Sequence, residues 1–342
     1  MFVYTPKIGG LFCQKLKKIL SLSILFVLSR AISVTTFLFS HPVCQEHDPG
    51  RGHPECPGRL KAVLNVLNGD SFKTLERRNA PKATLGQIAR VHDRKHAEKV
   101  LSTIKEQGHG SLDGDTHFSP NSDEAALRAA GAICAAVDAV MAGETKNAFC
   151  AVRPPGHHAE RAAVMGFCLF NTVAIGAEHA RKAHNLNRVA VVDFDVHHGN
   201  GTQAMFWNNE GLFFGSTHQS PLYPGSGHTT ETGVSSNIVN APLPPNTGSD
   251  EFREAMERII FPELNNFDPE FLFISAGFDA HTNDPLASLN FTDDDYYWAT
   301  EQLCAVAAKC CDGRIVSTLE GGYNLEALAQ SVAAHVKALM AS

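Results

Sequence analysis

The sequence predicts an α/β domain in which a mostly parallel sheet carries helices on both of its faces. The first observation is a series of short, near-continuously apolar runs, which is the pattern of strands buried on both sides. The second is that segments with helical periodicity, several of them opened by Ser, Asp or Thr, separate these runs. Such alternation of strand and helix along the chain is typical of this architecture.

The predicted elements follow in chain order. Six apolar runs are predicted as strands, at residues 36–39, 148–152, 189–192, 212–215, 271–274 and 315–319. Four helices are predicted between them, at residues 123–141, 172–184, 250–264 and 293–309. No repeat, low-complexity tract or flexible linker interrupts residues 34–342, so we expect this part of the chain to be one domain of about 300 residues.

Composition and charge exclude several functional classes. The chain has 29 Lys and Arg against 36 Asp and Glu, a formal net charge of −7, which excludes direct nucleic-acid binding through a basic surface. Apolar residues make up 44% of the chain, too many for a disordered protein. The nine cysteines show no disulfide-framework spacing and no CxxC pair, which favours reduced thiols and a cytoplasmic location.

Residues 1–33 differ in character from the rest of the chain. No acidic residue occurs before Glu46, and five basic residues surround an apolar run at residues 19–28. Three interpretations stay open: a signal or membrane anchor, an acid-poor organelle presequence, or a non-native extension from an upstream start codon. Because reduced thiols disfavour export, we expect the segment to lie outside the fold, and membrane contact only if it is an anchor.

Polar clusters follow five of the predicted strands. They lie at residues 153–158, 193–199, 216–218, 276–279 and 320–323. The carboxyl ends of parallel strands meet along one edge of a sheet, where ligands bind in open α/β folds. The five clusters are therefore predicted to converge on one site.

One cluster has the spacing of a metal site. Asp195 and His197 are two residues apart, so in an extended chain their side chains point to the same side, and Asp279 can supply a third ligand. Three protein ligands with an open fourth position are typical of a catalytic zinc, which lowers the pKa of its bound water to about 7. No GxSxG nucleophile motif competes with this chemistry.

The other clusters supply the groups that hydrolysis of an acyl bond requires. His157 and His158 stand in tandem on a loop restricted by Pro and Gly, where one of them can accept a proton. Asp193 and Asn200 are suited to orient these two histidines by accepting their Nδ1 hydrogens. Tyr323 can donate a hydrogen bond to the oxyanion of a tetrahedral intermediate. Together these residues predict metal-assisted hydrolysis of an acyl bond.

With residues 41–60, these clusters resemble the zinc-dependent histone deacetylase and acetylpolyamine amidohydrolase superfamily, and within it the class II and bacterial branch. Residues 41–60 contribute the segments EHDPG and GHPE and an Arg-Leu pair. The resemblance implies the arginase-deacetylase fold, a single domain with a central sheet of about eight strands. It also implies hydrolysis of N-acetyl amides to an amine and acetate.

The resemblance implies a role for each matching residue. The zinc ligands are Asp195, His197 and Asp279. The catalytic residues are the general base and acid His158, its electrostatic partner His157, the carbonyl-polarising Tyr323, and the orienting Asp193 and Asn200. The walls of the acyl-lysine channel are Gly166, Phe167, Tyr223 and Leu286, and Arg59 lines the internal cavity through which acetate leaves. The resemblance also implies a structural potassium ion, held by the carbonyls of Asp193, Asp195 and His197 and the Ser216 hydroxyl.

Three other functions share parts of this pattern. Arginase-like enzymes of the same fold bind two manganese ions through additional carboxylates, but here Gly199 and Gly277 stand in their places. Polyamine-selective relatives carry an acid where this chain has Leu286, so an acetylated lysine peptide or protein is the predicted substrate and acetylpolyamine the alternative. A non-enzymatic scaffold protein is expected to lack a ligand, the base or the tyrosine, and none is missing. The natural substrate, the acyl-chain preference and the oligomeric state stay open.

Overall fold

An eight-stranded, all-parallel sheet forms the centre of the structure, a computed structural model that describes residues 1–3 and 35–342. The strands are β1 (Phe37–Ser40), β2 (Glu76–Asn79), β3 (Gly110–Ser111), β4 (His117–Phe118), β5 (Asn147–Cys150), β6 (Val189–Asp193), β7 (Leu212–Gln219), β8 (Ile238–Leu243), β9 (Phe271–Ala276) and β10 (Ile315–Leu319). Their order in the sheet is β2-β1-β5-β10-β9-β6-β7-β8, and β3 and β4 form a separate antiparallel pair.

Ten α-helices are present in the described part of the chain. They are α1 (Pro57–Val66), α2 (Leu85–Ile88), α3 (Arg94–Gln107), α4 (Ser122–Met141), α5 (Thr172–His184), α6 (Asn200–Phe206), α7 (Ser249–Ala255), α8 (Phe261–Phe267), α9 (Asp293–Cys310) and α10 (Leu325–Ala341). A π-helical turn at Met256–Ile260 joins α7 to α8, so the helix predicted at residues 250–264 is one helical stretch with a bulge.

Helices cover both faces of the sheet, as predicted. Ser317 of β10 is in register with Ile274 of β9, so these two side chains share a face and the neighbouring Phe273 points to the other. His335 of α10 bonds to Ser317, with Nε2 and Oγ 2.8 Å apart. Phe273 instead lies against Gly176 of α5. Helices α5 and α10 therefore pack on opposite faces, and the apolar core lies between them and the strands.

All six predicted strands are present, but the two edge strands β2 and β8 were not predicted. Strand β2 reads ERRN and its four residues are exposed, and β8 contains Pro242. Edge strands carry charged residues and proline because one side of each lacks a pairing neighbour. Neither strand therefore shows the continuous apolar run that marks the six central strands.

The cluster at residues 216–218 lies within a strand and does not follow one, which corrects the sequence prediction. Strand β7 continues to Gln219 because β8 pairs with residues 214–219 along its whole length. Strand β5 in turn ends at Cys150 and not at residue 152. The ends of β5 and β7 therefore differ from the predicted ends, but each polar cluster still belongs to the strand for which it was predicted.

No helix within residues 1–3 and 35–342 combines the length and apolarity needed to cross a membrane. The predicted N-terminal segment lies outside the described residues, except for its first three. Residues 35–342 form one compact unit.

Candidate metal-dependent active site

Asp195, His197 and Asp279 come together at the carboxyl edge of the sheet. Their ligand atoms all lie within 4.8 Å of one another, and the three side chains are buried. Asp195 and His197 follow β6, and Asp279 follows the neighbouring β9. His197 Nδ1 is 3.2 Å from Asp195 Oδ1 and 3.1 Å from Asp279 Oδ2. An imidazole nitrogen with two carboxylates is a donor set that suits zinc.

Two glycines make room for these carboxylates. A Cβ atom at Gly277 would collide with the Asp195 carboxylate, and one at Gly321 would collide with that of Asp279. The Gly321 N–H donates to Asp195 Oδ2 at 2.7 Å, and the Val196 N–H donates to Asp279 Oδ1 at 2.9 Å. Two carboxylates this deeply buried require a compensating cation. The residues therefore fit a bound zinc ion.

A second cluster in the described residues, Asp138, His179 and His184, also has metal-ligand chemistry. His179 Nε2 and His184 Nε2 are each 2.7 Å from Asp138 Oδ1. Arg90 Nη1 lies 2.5 Å from His179 Nδ1. Because an arginine only donates, His179 Nδ1 must accept, and its proton lies on Nε2, which gives it to Asp138. The cluster is thus a hydrogen-bonded ion network whose His179 lone pair is already used.

The tandem histidines have different partners. His157 Nδ1 lies 3.0 Å from Asp193 Oδ2, and His158 Nδ1 lies 2.8 Å from Asn200 Oδ1. The two rings are 4.0 Å apart between centroids. His157 Nε2 is also 3.8 Å from Asp195 Oδ1, which brings the pair against the metal ligands. The structure therefore brings together five of the residues that the sequence predicts for the site, namely His157, His158, Asp193, Asp195 and Asn200.

The environments of the two histidines push their pKa values in opposite directions. Burial by itself lowers the pKa of His157, but the Asp195 and Asp193 carboxylates outweigh it and raise that pKa to about 10. Burial, followed by the neighbouring His157, holds the pKa of His158 well below its usual value. The surroundings therefore favour a proton on His157 more strongly than on His158, which leaves His158 the better placed of the two to accept a proton.

The loop that carries the histidines is held by Glu320, to which the sequence pattern assigned no individual role. Glu320 is fully buried, and its Oε2 accepts from the Gly156 N–H at 2.6 Å and the His157 N–H at 3.1 Å. Gly199 allows the loop to approach, since a Cβ there would lie 2.5 Å from Asp193 Oδ2. The LEGGY segment marks Glu320, but only its position beneath the loop shows what it does.

Aromatic rings surround the approach to the site. The rings of Phe167 and Tyr323 are 6.0 Å apart at 84°, and the Tyr223 ring is 5.1 Å from that of His158. Gly166 and Phe167 both have positive φ, at 55° and 69°. A Cβ at Gly166 would collide with the His158 ring, so glycine is required where the wall meets the base.

Leu286 is tied to the segment that carries Tyr323 through Asp284. The Asp284 carboxylate accepts from the Tyr323 N–H at 2.7 Å through Oδ2 and from the Leu286 N–H at 3.0 Å through Oδ1. Asp284 is buried, and burial followed by the charge of Asp279 raises its pKa to about 6. The sequence of this segment predicted a role for Leu286 and none for Asp284.

Arg59 lies beneath Tyr323 in a buried charged cluster. Its guanidinium carbon is 4.9 Å from the centre of the Tyr323 ring, and its Nε donates to the Gly322 carbonyl at 2.5 Å. Glu55 bridges Arg59 and Arg153, and all three side chains are fully buried. The role of Arg59 in an acetate cavity stays a prediction, while its contact with the Gly322–Tyr323 backbone and ring is direct.

Two of the four residues expected to hold potassium are neighbours in the sheet. Asp193 of β6 is in register with Ser216 of β7, and both are fully buried. The Ser216 hydroxyl is 2.9 Å from His218 Nδ1. The potassium site therefore stays a prediction that rests on the resemblance.

A parallel α/β sheet whose carboxyl edge gathers candidate metal ligands, two histidines and a tyrosine has the parts of a metal-dependent hydrolase. The family match is more specific. Residues 53–339 match the model described as Histone deacetylase domain, and the chain belongs to this family. The protein is therefore a histone deacetylase-type hydrolase, a family in which zinc dependence is the norm.

Known proteins agree with this assignment. The chain is 40% identical over 308 residues to "Histone deacetylase 14, chloroplastic" of Arabidopsis thaliana, which covers 84% of this chain and 73% of the relative. It is 39% identical over 280 residues to the "Histone deacetylase-like amidohydrolase" of Pseudomonas aeruginosa, and the match covers 80% of this chain and 73% of that relative. The solved structure titled "Crystal Structure of HDA15 HD domain" superposes with a TM-score of 0.86 at 33% identity, covering 91% of this chain and 89% of that one.

Proposed function

We propose that the protein is a zinc-dependent deacetylase that removes acetyl groups from N-acetyl-lysine side chains of peptides or proteins. The observation that carries this proposal is the cluster of Asp195, His197 and Asp279 within 4.8 Å, beside a histidine pair whose two members have different hydrogen-bond partners. These three residues would hold the zinc ion. When bound, zinc supplies Lewis-acid activation of water and of the acyl carbonyl.

The protein's own groups then divide the proton transfers. His158 accepts a proton at Nε2, because its Nδ1 is directed to Asn200 Oδ1 at 2.8 Å, and later returns it to the leaving amine. His157, paired with Asp193, stabilises negative charge that develops beside it. Tyr323 donates its phenolic hydrogen to the oxygen of the acyl carbonyl.

The walls of the approach favour a lysine side chain over a polyamine. Phe167 and Tyr323, whose rings lie 6.0 Å apart, offer apolar surface that suits an aliphatic stem. Leu286, held beside Tyr323 through Asp284, offers no carboxylate to a second amine. A histone is one candidate among acetylated proteins, and nothing in the net charge of −7 ties the protein to chromatin.

The test is an assay of the full chain on an acetyl-lysine peptide and on acetylated polyamines, each with and without a zinc chelator. We expect chelator-sensitive release of acetate from the peptide, and none from a His158→Ala variant. A Leu286→Glu variant is expected to gain turnover of the cationic polyamine relative to the peptide. Turnover of polyamines alone by the unmodified protein would contradict the substrate, and inactivity of the zinc-loaded protein on both would contradict the function.

We also propose the structural potassium site at Asp193, Asp195, His197 and Ser216. Replacing KCl by tetramethylammonium chloride at equal ionic strength is expected to lower the thermal midpoint of the zinc-loaded protein. Identical midpoints in the two salts would argue against the site.

Residues 1–33 are proposed to be an organelle presequence, and residues 34–342 the catalytic domain. The acid-poor, basic composition of the segment supports this, as does the word chloroplastic in the name of the Arabidopsis relative. The test is import of the full chain into isolated chloroplasts, beside a chain that begins at residue 34. Equal uptake of both chains would argue against a presequence.

A further inference from the structure

Glu160 lies behind the general base, where neither the sequence patterns nor the proposed mechanism uses it. Its Oε1 is 3.0 Å from Asn200 Nδ2, and Asn200 Oδ1 is 2.8 Å from His158 Nδ1. We propose that Glu160 is a positioning residue, which fixes the direction of the Asn200 amide and thereby the ring nitrogen on which His158 carries its proton. This inference rests on the proposed function, in which His158 is the base.

The orientation of the Asn200 amide decides whether His158 can act. With Oδ1 facing the ring, the amide accepts the His158 Nδ1 hydrogen, so the lone pair of the neutral imidazole lies on Nε2. If the amide turned by 180°, its NH₂ group would donate to Nδ1. The proton of the neutral ring would then lie on Nε2, and that nitrogen could not accept another from water.

Three acceptors surround Asn200 Nδ2 in the observed orientation. Glu160 Oε1 lies at 3.0 Å, Met165 Sδ at 3.3 Å and the His158 carbonyl at 3.4 Å. The carboxylate is the shortest of these contacts and its acceptor is charged, whereas a thioether accepts weakly. In the turned orientation, Asn200 Oδ1 would face the Glu160 carboxylate with no hydrogen between them. Glu160 therefore favours the productive orientation and disfavours the other.

The backbone holds Glu160 and Asn200 in fixed relation. The Glu160 N–H donates to the Ala163 carbonyl at 2.9 Å, and the His92 Nδ1 lies 2.9 Å from the Glu160 carbonyl. Gly201, next to Asn200 at the start of α6, lies so close to the carbonyl of residue 159 that a Cβ there would collide with it. The carboxylate and the amide thus belong to two segments in direct contact.

Four variants separate this role from a structural one. Glu160→Leu removes the acceptor, and we expect kcat to fall about tenfold with KM within twofold, because Glu160 acts on the base through Asn200 and holds no predicted substrate contact. Glu160→Gln keeps an acceptor oxygen and should lose no more than about threefold. Asn200→Asp sets two carboxylates against each other and should lower kcat at least tenfold. Adding Glu160→Gln to Asn200→Asp lets an amide donate to the new carboxylate and should recover a large part of that loss.

The ring tautomer of His158 gives a readout that does not depend on turnover. In ¹⁵N-histidine spectra of the zinc-loaded protein, we expect the Nδ1–H form in the unmodified chain and a shift toward Nε2–H in Glu160→Leu, with zinc content unchanged. Equal kcat for the unmodified chain and a folded Glu160→Leu variant would overturn the inference. So would an Asn200→Asp defect that Glu160→Gln does not relieve, or an unchanged tautomer. Absence of turnover in the unmodified chain would contradict the proposed function alone, and the tautomer would still decide the role of Glu160.

Discussion

Replacing Glu55 by Gln is expected to destabilise the fold strongly, because Glu55 neutralises part of a buried positive charge. Arg59 Nη1 lies 3.0 Å from Glu55 Oε1, and Arg153 Nη2 lies 2.6 Å from Oε2. All three side chains have no exposed surface. Two guanidinium groups and one carboxylate sum to +1, and Glu55→Gln raises the sum to +2. The new NH₂ group also faces an arginine donor in place of an acceptor.

The magnitude follows from the burial of these charges. Removing one partner of a buried, hydrogen-bonded ion pair costs about 3–5 kcal/mol, because the remaining charge stays buried without compensation. Domains unfold with a free energy of only about 5–15 kcal/mol, so the variant should lose a large share of its stability. Arg59 also donates to the Gly322 carbonyl next to Tyr323, so kcat is expected to fall as well.

Urea unfolding at pH 7 measures this loss, with the same excess of zinc for every variant because bound metal adds stability. The control is Glu98→Gln, whose partner Arg94 lies 3.1 Å away with both side chains at least half exposed. Exposed pairs of this kind contribute about 0.3–0.5 kcal/mol. A loss below about 1 kcal/mol for Glu55→Gln, or one equal to that of the control, would refute the reasoning.

Three more predictions concern pH, the metal and the chemistry. Burial lowers the pKa of His335 to about 3 from 6.5, so its contribution to stability is present above about pH 6.5 and is lost toward pH 3. Lowering the pH from 7 to 5 should lower the free energy of unfolding by about 2 kcal/mol through this residue. Urea unfolding of a His335→Asn variant at both pH values should show a loss that is smaller by this amount. An equal loss in the variant and the unmodified chain would contradict the prediction. Gly277→Ala pushes on Asp195 and should weaken zinc binding about 10–100-fold in chelator competition, while Gly114→Ala, with open space around it, should bind as the unmodified chain does. Tyr323→Phe should lower kcat about 10²–10³-fold at unchanged zinc content, and a loss under threefold would remove the phenol from the mechanism.

The central strands and the convergence of the site could be predicted because both depend on local patterns. A strand buried on both faces must be apolar along its whole length, so β6 and β9 are visible as runs of sequence. Polar residues directly after such strands must lie at one sheet edge. For this reason the sequence predicts that Asp195 and Asp279, which are 84 positions apart in the chain, are close in space. Edge strands β2 and β8 escaped prediction because they carry no such continuous run.

The sequence by itself determined the fold class, and it predicted the three metal-ligand positions and the catalytic side chains. Only the tertiary structure decided which residue supports which: that Glu55 bridges two arginines, that Asp284 joins Leu286 to Tyr323, and that Glu160 faces Asn200. The physical reason is that these contacts join loops and helix starts whose directions follow no short-range period. Periodicity records which face of an element is buried, whereas the partner of a buried charge is set by how separate segments pack.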